Sequence, residues 1–137
     1  MITGLIAPLL TPFDDNLALD QEKFNAHAQR LLDTGCAGLA PFGTTGEALS
    51  VSHLERKAAL EGLVAAGIDP SVMIPGTGLC NLPDTVDLCQ HAINLGCAGV
   101  MTLPPFYFKG MSDAGLYDYF VQLIDMVNET RLKIYLY

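Results

Sequence analysis

The pentapeptide GCAGL at residues 35–39 decides the fold, because it returns at residues 96–100 as GCAGV. Each copy stands between a segment whose apolar residues have helical spacing and an apolar run that is typical of a buried strand. The two copies are separated by two βα units of roughly 30 residues each. In each copy the first glycine fits a helix C-terminus in left-handed geometry, and the second opens the next strand. The repeat therefore predicts a regular alternation of helices and strands.

The rest of the chain supports this alternation. The patterns predict strands at residues 4–10, 38–42, 72–75, 97–103 and 132–137, and helices at residues 20–33, 52–66, 81–95 and 112–128. Asp20 is predicted to cap the first helix, and Ser52 followed by Glu55 is typical of a capping box at the second. The strands are apolar on nearly every residue, as expected for a parallel sheet covered by helices.

Two α/β folds fit this pattern, a doubly wound open sheet and a (β/α)8 TIM barrel. The regular unit length and the repeat favour the barrel, and the sequence lacks the GxGxxG signature of a nucleotide-binding doubly wound protein. The 137 residues hold about four and a half βα units, whereas a closed barrel needs about 250 residues. We therefore expect residues 1–137 to form the N-terminal part of a single TIM-barrel domain. Either this half barrel pairs with something, or the chain is the first part of a longer protein.

Composition excludes several classes of function. The net charge of −8 argues against nucleic acid as a partner, because phosphate binding needs a basic surface. The N-terminus lacks the basic segment and apolar core of a secretory signal, and no apolar stretch is long enough to span a bilayer. The sequence therefore predicts a cytoplasmic protein with no membrane partner.

The cysteines and histidines do not form a metal-binding pattern. No CxxC pair occurs, so free buried thiols are favoured over metal binding or disulfides at residues Cys36, Cys80, Cys89 and Cys97. The histidines fall on predicted helices, outside a barrel, where surface or packing roles are expected for His27, His53 and His91. We expect neither a metal nor a cofactor.

The loop after the second predicted strand is Gly43-Thr44-Thr45-Gly46-Glu47. Its glycines let the backbone turn sharply and approach a ligand, and its threonines place hydroxyls beside backbone N–H groups, a set that suits a carboxylate. The loop also lies where α/β proteins bind anions, at the carboxyl end of a strand. A plain βα turn in which threonine caps the next helix fits the spacing equally well.

Four motifs together resemble one family: GLIAPLLTPF at residues 4–13, the GTTGE loop, PPFY at 104–107 and IYLY at 134–137. This is the dihydrodipicolinate synthase and N-acetylneuraminate lyase family, and the whole chain is similar to roughly the first half of a member. The resemblance implies a TIM-barrel lyase of the class I aldolase type. Its substrates would be pyruvate or a related 2-keto acid, bound as a Schiff base on a barrel lysine, and an aldehyde or sugar acid. It also implies a homo-oligomer, a tetramer in the family.

The resemblance also assigns roles to individual residues. Thr45 and the N–H groups of the loop, with Gly43 and Gly46, would hold the keto acid carboxylate. Thr44, Tyr107 and Tyr137 would form a hydroxyl relay, with Tyr137 as the main acid/base group. A family tyrosine at the Tyr107 position commonly reaches across a dimer interface. Without the joint pattern, both tyrosines would be ordinary half-buried residues at the barrel rim.

The resemblance places the nucleophilic lysine on a sixth strand, beyond Tyr137. The chain's own lysines are predicted on outer helices, in the loop after the fourth strand and at the start of the fifth strand, at Lys23, Lys57, Lys109 and Lys133. None of these positions suits a Schiff base, so we expect the isolated chain to be inactive. The alternative is a non-catalytic half barrel that serves as an interaction or metabolite-binding module.

Two departures leave the specific substrate open. Residues 106–108 read FYF where the synthase pattern usually has YYN, and Ala48 stands where the pattern favours serine.

Overall fold

The computed structural model describes residues 2–137, in which helices and strands alternate as the repeat predicts, except that no regular strand separates the second helix from the third. The strands are β1 (Ile6–Leu9), β2 (Gly38–Pro41), β3 (Val100–Thr102) and β4 (Ile134–Leu136). The helices are α1 (Gln21–Asp33), α2 (His53–Ala65), α3 (Leu82–Leu95) and α4 (Asp113–Val127), with 3-10 turns at Ala48–Ser50 and Pro70–Val72. Among residues 2–137, no helix combines the length and the apolar character needed to cross a membrane.

The strand predicted at residues 72–75 is not a regular strand. The chain there, at residues 73–77, forms isolated parallel bridges to β2 and β3, and we call it the central segment. The Ile74 N–H donates to β2 at the Leu39 carbonyl over 2.9 Å, and the Thr77 N–H donates to β3 at the Met101 carbonyl over 2.9 Å. Pro75 lies between them and has no N–H to donate, so the ladder toward β3 is interrupted.

The order of the strands distinguishes between the two candidate folds. β1 pairs with β2 in parallel, and β3 pairs with β4 in parallel. The central segment joins the two pairs, so the five extended segments lie side by side in sequence order. The helices follow the same order, since α1 packs on α2, α2 on α3 and α3 on α4. A doubly wound sheet reverses its strand order, whereas a barrel does not.

The core lies between the strands and the helices. Alternate strand residues point toward the helices and are almost wholly buried, including Leu9, Leu39, Met73 and Val100. The residues next to them, Pro8, Ala40, Ile74 and Met101, line a cavity on the opposite face of the strands. Side chains thus alternate along each strand between the face covered by helices and the inward face of the incomplete barrel, which borders this cavity.

Local signals in the sequence are confirmed at the helix ends. The Asp20 carboxylate accepts the Lys23 N–H at 3.0 Å, as an N-cap does. Ser52 and Glu55 form the predicted capping box, in which each side chain accepts the other's backbone N–H. The first glycine of each repeat has a left-handed φ, +99° at Gly35 and +93° at Gly96.

Candidate active site

The GTTGE loop is held against the end of β1. The Thr11 hydroxyl donates to the Gly46 carbonyl at 2.6 Å in a buried contact. A Cβ atom at Gly46 would lie 2.5 Å from the Leu9 carbonyl oxygen, so only glycine allows this approach. Two non-glycine residues have a left-handed φ: Phe42 (60°), which precedes the loop, and Glu47 (51°), its last residue. Such conformations cost free energy and are often found at functional sites.

Two of the predicted site residues meet at the carboxyl ends of the strands. The Thr44 hydroxyl lies 3.1 Å from the Tyr137 hydroxyl, and either oxygen can be the donor. Thr44 follows β2 and Tyr137 follows β4, so residues 93 positions apart meet only because the strands are parallel and in sequence order. A hydroxyl pair with both donor and acceptor capacity can pass a proton along its hydrogen bond.

This hydroxyl pair stands between two cavities. The first, which we call the inner cavity, has a volume of about 260 Å³ and is lined by Thr45 and the inward strand residues. The second, the outer cavity, has a volume of about 310 Å³ and is lined mainly by apolar residues of the loops, among them Leu49 and Phe106. Both cavities are bordered by Gly43, Thr44, Met101 and Tyr137. A ligand in either cavity therefore reaches the same pair of hydroxyls.

The structure does not bring Tyr107 to this pair within one chain. Its side chain is 76% exposed and borders neither cavity. Its ring packs edge-on against Phe108, with ring centroids 5.8 Å apart. The loop after β3 therefore presents Tyr107 to the exterior.

No lysine of residues 2–137 borders the inner or the outer cavity. Lys133 lines a different cavity together with Gly96 and Ala98, at the amino ends of the strands. The Lys109 ammonium donates to the Phe106 carbonyl at 3.2 Å, outside the cavities. The predicted separation of the lysines from the site is thus found in the structure.

The cysteines are free thiols, as predicted, but only Cys89 is buried. Its thiol donates to the Thr77 hydroxyl at 3.3 Å, and burial raises its pKa. Partial burial raises the pKa of Cys97 to about 12. The histidines lie on α1, α2 and α3, and within the described part of the chain no group of three or more His, Cys, Asp or Glu residues is placed to hold a metal ion.

Sequence reasoning missed two features of this region. Met101 borders both cavities, and its inward position depends on the register of β3, which no local pattern specifies. Arg56 is almost wholly buried beneath the loop after β2, although arginine on an outer helix is normally exposed. Only the tertiary structure reveals either role.

Comparison with known proteins decides the family. The sequence profile of the Dihydrodipicolinate synthetase family matches residues 1–137. The chain belongs to this family. It is 34% identical to the 4-hydroxy-tetrahydrodipicolinate synthase of Brucella suis biovar 1 (strain 1330) over 128 residues, 93% of the chain and 43% of that protein. The chain thus spans less than half the length of this relative.

Two solved structures of the dihydrodipicolinate synthase type superpose on the chain. The synthase from Agrobacterium tumefaciens str. C58 matches with a TM-score of 0.94 at 38% identity, over 98% of this chain and 47% of that one. YagE from E. coli K12, solved in complex with pyruvate, matches with a TM-score of 0.87 at 34% identity, over 100% of this chain and 45% of that one. The predicted TIM-barrel fold, of which this chain supplies about the first four and a half βα units, is confirmed.

Proposed function

We propose that this chain is the N-terminal part of a Schiff-base-forming lyase that acts on pyruvate or a related 2-keto acid. The observation that carries the proposal is the 3.1 Å contact between the hydroxyls of Thr44 and Tyr137, beside the inner cavity. The pyruvate bound to the family relative YagE supports a substrate of this class. The second substrate would be an aldehyde or a sugar acid.

The loop after β2 would bind the carboxylate of the keto acid. Thr45 borders the inner cavity, and the close approach of Gly46 to β1 fixes the backbone around it. Backbone N–H groups and a hydroxyl converging on one point favour an anion. Gly43 borders the same cavity and lets the backbone approach the ligand without a side chain in the way.

The relay would serve the proton transfers of Schiff-base formation. A nucleophilic lysine, which we place on a strand following Tyr137, would attack the keto carbon. The carbinolamine oxygen must then be protonated so that water can leave. Tyr137 would give this proton, and Thr44, in contact with it, would orient the phenol. The attacking amine releases a proton when the carbon–nitrogen bond forms, and Thr44 would pass a proton back to the phenol in its place. A cationic iminium close to the phenol would favour its ionised form.

Tyr107 would act in a second copy of the protein. Its side chain and that of Phe108 are exposed apolar groups on the loop after β3, and Leu49 is a further exposed apolar side chain that borders the outer cavity. Exposed apolar surface of this kind marks an interface. We infer a homo-oligomer in the cytoplasm, in which Tyr107 of one copy extends the relay of its neighbour.

Trapping with borohydride tests the proposal. In the full-length protein, pyruvate and borohydride should add one reduced pyruvate to a lysine that follows Tyr137 in the chain. Tyr137→Phe should slow the trapping, whereas Tyr117→Phe, on the exposed surface of α4, should not. The polypeptide of residues 1–137 should remain unmodified. An adduct on Lys109 or Lys133 would overturn the assignment, and a full-length protein that binds pyruvate without trapping would be a metabolite-binding module instead.

A further inference from the structure

Arg56 is a buried cation without an acidic partner. It lies on α2 with 2% of its surface exposed, and none of the ion pairs within residues 2–137 includes it. Burial lowers the pKa of its guanidinium, which nevertheless stays protonated at neutral pH. Burying an unpaired charge is unfavourable unless hydrogen bonds compensate for it. The hydrogen bonds that compensate for the buried charge of Arg56 therefore indicate its structural role.

Two of its nitrogens hold one short piece of backbone. Nε donates to the Val51 carbonyl at 3.2 Å, and Nη2 donates to the Ala48 carbonyl. Both carbonyls belong to residues 48–51, which we call the 48–51 turn. The Ala48 carbonyl also accepts the Val51 N–H at 3.2 Å, so the guanidinium closes the turn from below. A planar guanidinium can satisfy two carbonyls at once, which a single ammonium in the same place cannot do with the same geometry.

The opposite face of this turn borders the site. Residues 48–50 line the outer cavity beside Thr44. The turn is hydrogen-bonded directly to the GTTGE loop, since the Ala48 N–H donates to the Gly43 carbonyl at 3.3 Å. Within the loop, the Glu47 N–H donates to the Thr44 carbonyl at 3.1 Å. A shift of the turn would therefore shift the backbone that carries the Thr44 hydroxyl.

Arg56 itself does not reach the site. It borders a separate small cavity of about 10 Å³ behind Phe42, which has room for about one water molecule. Its Nη1 is buried and has no hydrogen-bond partner within the described residues. Arg56 can therefore influence the reaction only through the backbone that it holds.

We propose that Arg56 is a positioning residue for the proposed reaction, and that its guanidinium fixes the 48–51 turn and through it the placement of Thr44. The proposal rests on the proposed function for its kinetic consequence, but not for its structural one. Thr11 holds the same loop from the side of β1 through its bond to Gly46. Arg56 and Thr11 thus secure the loop at two places.

Hydrogen exchange in the full-length protein tests the structural part. In Arg56→Gln, the amides of residues 43–51 should exchange about tenfold faster or more, because hydrogen bonds from a charged donor are lost. Amides of α3 and α4 should keep the wild-type rate. Arg131→Gln is the matched control, since Arg131 is exposed after α4 and pairs with Glu129, far from the loop. Unchanged exchange at residues 43–51 in Arg56→Gln would overturn the proposal.

Kinetics test the functional part and separate positioning from mere stability. The pyruvate concentration for half-maximal trapping should rise about tenfold in Arg56→Gln, with a smaller rise in Arg56→Lys, which keeps one donor. Thr11→Val should give a similar rise, and the double variant should be non-additive because both residues hold one loop. The proposal would be overturned if Arg56→Lys and Arg56→Gln raised this pyruvate concentration equally and also accelerated amide exchange over the whole protein. If Arg56→Gln does not fold, Arg56→Lys alone is compared with wild type in both measurements.

Absence of trapping in wild type would remove the proposed function, while the exchange experiment would still decide the role of Arg56.

Discussion

The contact between Thr44 and Tyr137 can pass a proton only if both hydroxyls are present and each can act as donor and as acceptor. Thr44→Val removes one hydroxyl and keeps the shape of the side chain. In the full-length protein we expect kcat to fall about a hundredfold, the usual contribution of positioned acid–base groups, with a smaller change in KM. Steady-state rates with pyruvate as the keto acid check this.

Two variants serve as controls for this prediction. Thr44→Ser keeps a hydroxyl and should retain most of the rate. Thr34→Val changes an exposed threonine at the end of α1, whose hydroxyl bonds only to the Leu31 carbonyl, and should be silent. Wild-type kcat in Thr44→Val would exclude the relay.

The reactivity of the cysteines follows from their burial. Because partial burial raises the pKa of Cys97 to about 12, its thiol is protonated at neutral pH and is a poor nucleophile. Cys89 is buried, and burial raises its pKa as well. Iodoacetamide at mildly alkaline pH, followed by peptide mass mapping, should therefore label Cys36 and Cys80 first. Early labelling of Cys97 would show that its surroundings are open to solvent.

At the scale of the elements, the central segment approaches β2 more closely than a side chain permits. A Cβ atom at Gly76 would lie 2.0 Å from the Phe42 carbonyl oxygen, and that oxygen is backbone, which cannot move away alone. We expect Gly76→Ala to lower the free energy of unfolding by roughly 2 kcal/mol or more, within the range of overpacked interiors. Denaturant unfolding of the full-length protein measures it.

The control is a glycine in a helix. At Gly115 on α4, an added Cβ would meet only the Ser112 hydroxyl oxygen at 3.3 Å. Alanine has the higher helix propensity, so Gly115→Ala should leave stability unchanged or raise it by up to about 1 kcal/mol. Equal effects of the two substitutions would show that the close approach at Gly76 is not what constrains that position.

The elements differ in how much of them the sequence predicts. Helix ends depend on local chemistry, such as the Ser52 capping box and the left-handed Gly96, and were predicted to within a residue or two. Strand bounds depend on partners far along the chain, so β3 and β4 are shorter than their apolar runs. The central segment fails as a regular strand because Pro75 has no N–H to donate, and this effect can be predicted only once the backbone of residue 75 is known to face β3.

The same distinction holds for the site. Thr44 and Tyr137 were predicted together because family motifs carry them, and the parallel strands bring them into contact. Tyr107 also lies in a family motif, but its side chain is exposed on the loop after β3, and no contact within one chain specifies its partner. Arg56 has no motif, since its partners are backbone carbonyls that any residue could supply.

An ion cluster joins α2 to α3 on the outer surface. The Asp87 carboxylate lies 2.9 Å from the Lys57 ammonium and 2.6 Å from His53 Nε2. The hydrogen bond from Lys57, followed by that from His53, holds the pKa of Asp87 below its ordinary value of 3.8. A lowered pKa in the folded state means that the stabilisation is present above this value and is lost as pH falls through the folded-state pKa.

Asp87→Asn should therefore lower the free energy of unfolding near neutral pH and change it little in acid. The half-exposed position limits the difference from wild type to about 1 kcal/mol or less. Urea unfolding of both proteins between about pH 7 and pH 3 should show the gap narrowing below about pH 4. A gap that is constant with pH would mean that Asp87 acts through packing or capping instead of charge.

At the scale of the whole molecule, residues 2–137 form an arc of parallel strands with a free edge at each end. β1 pairs only with β2, and β4 pairs only with β3, within this part of the chain. α4 also exposes an apolar stripe at Tyr117, Val121 and Ile124, which lie on one side of the helix. In a closed barrel, further strands would pair with the edges and a further helix would cover the stripe.

The polypeptide of residues 1–137 should therefore not persist alone as a stable monomer. Unpaired N–H and C=O groups on two edges favour pairing with other chains, and the exposed apolar stripe adds to this tendency. The net charge of −8 slows aggregation but cannot satisfy a strand edge. Sedimentation velocity at micromolar concentration should show self-association or precipitation. Co-expression with the remaining part of a full-length protein should give a single soluble species, whereas a monodisperse, cooperatively unfolding monomer of residues 1–137 would mean that the arc is a complete domain.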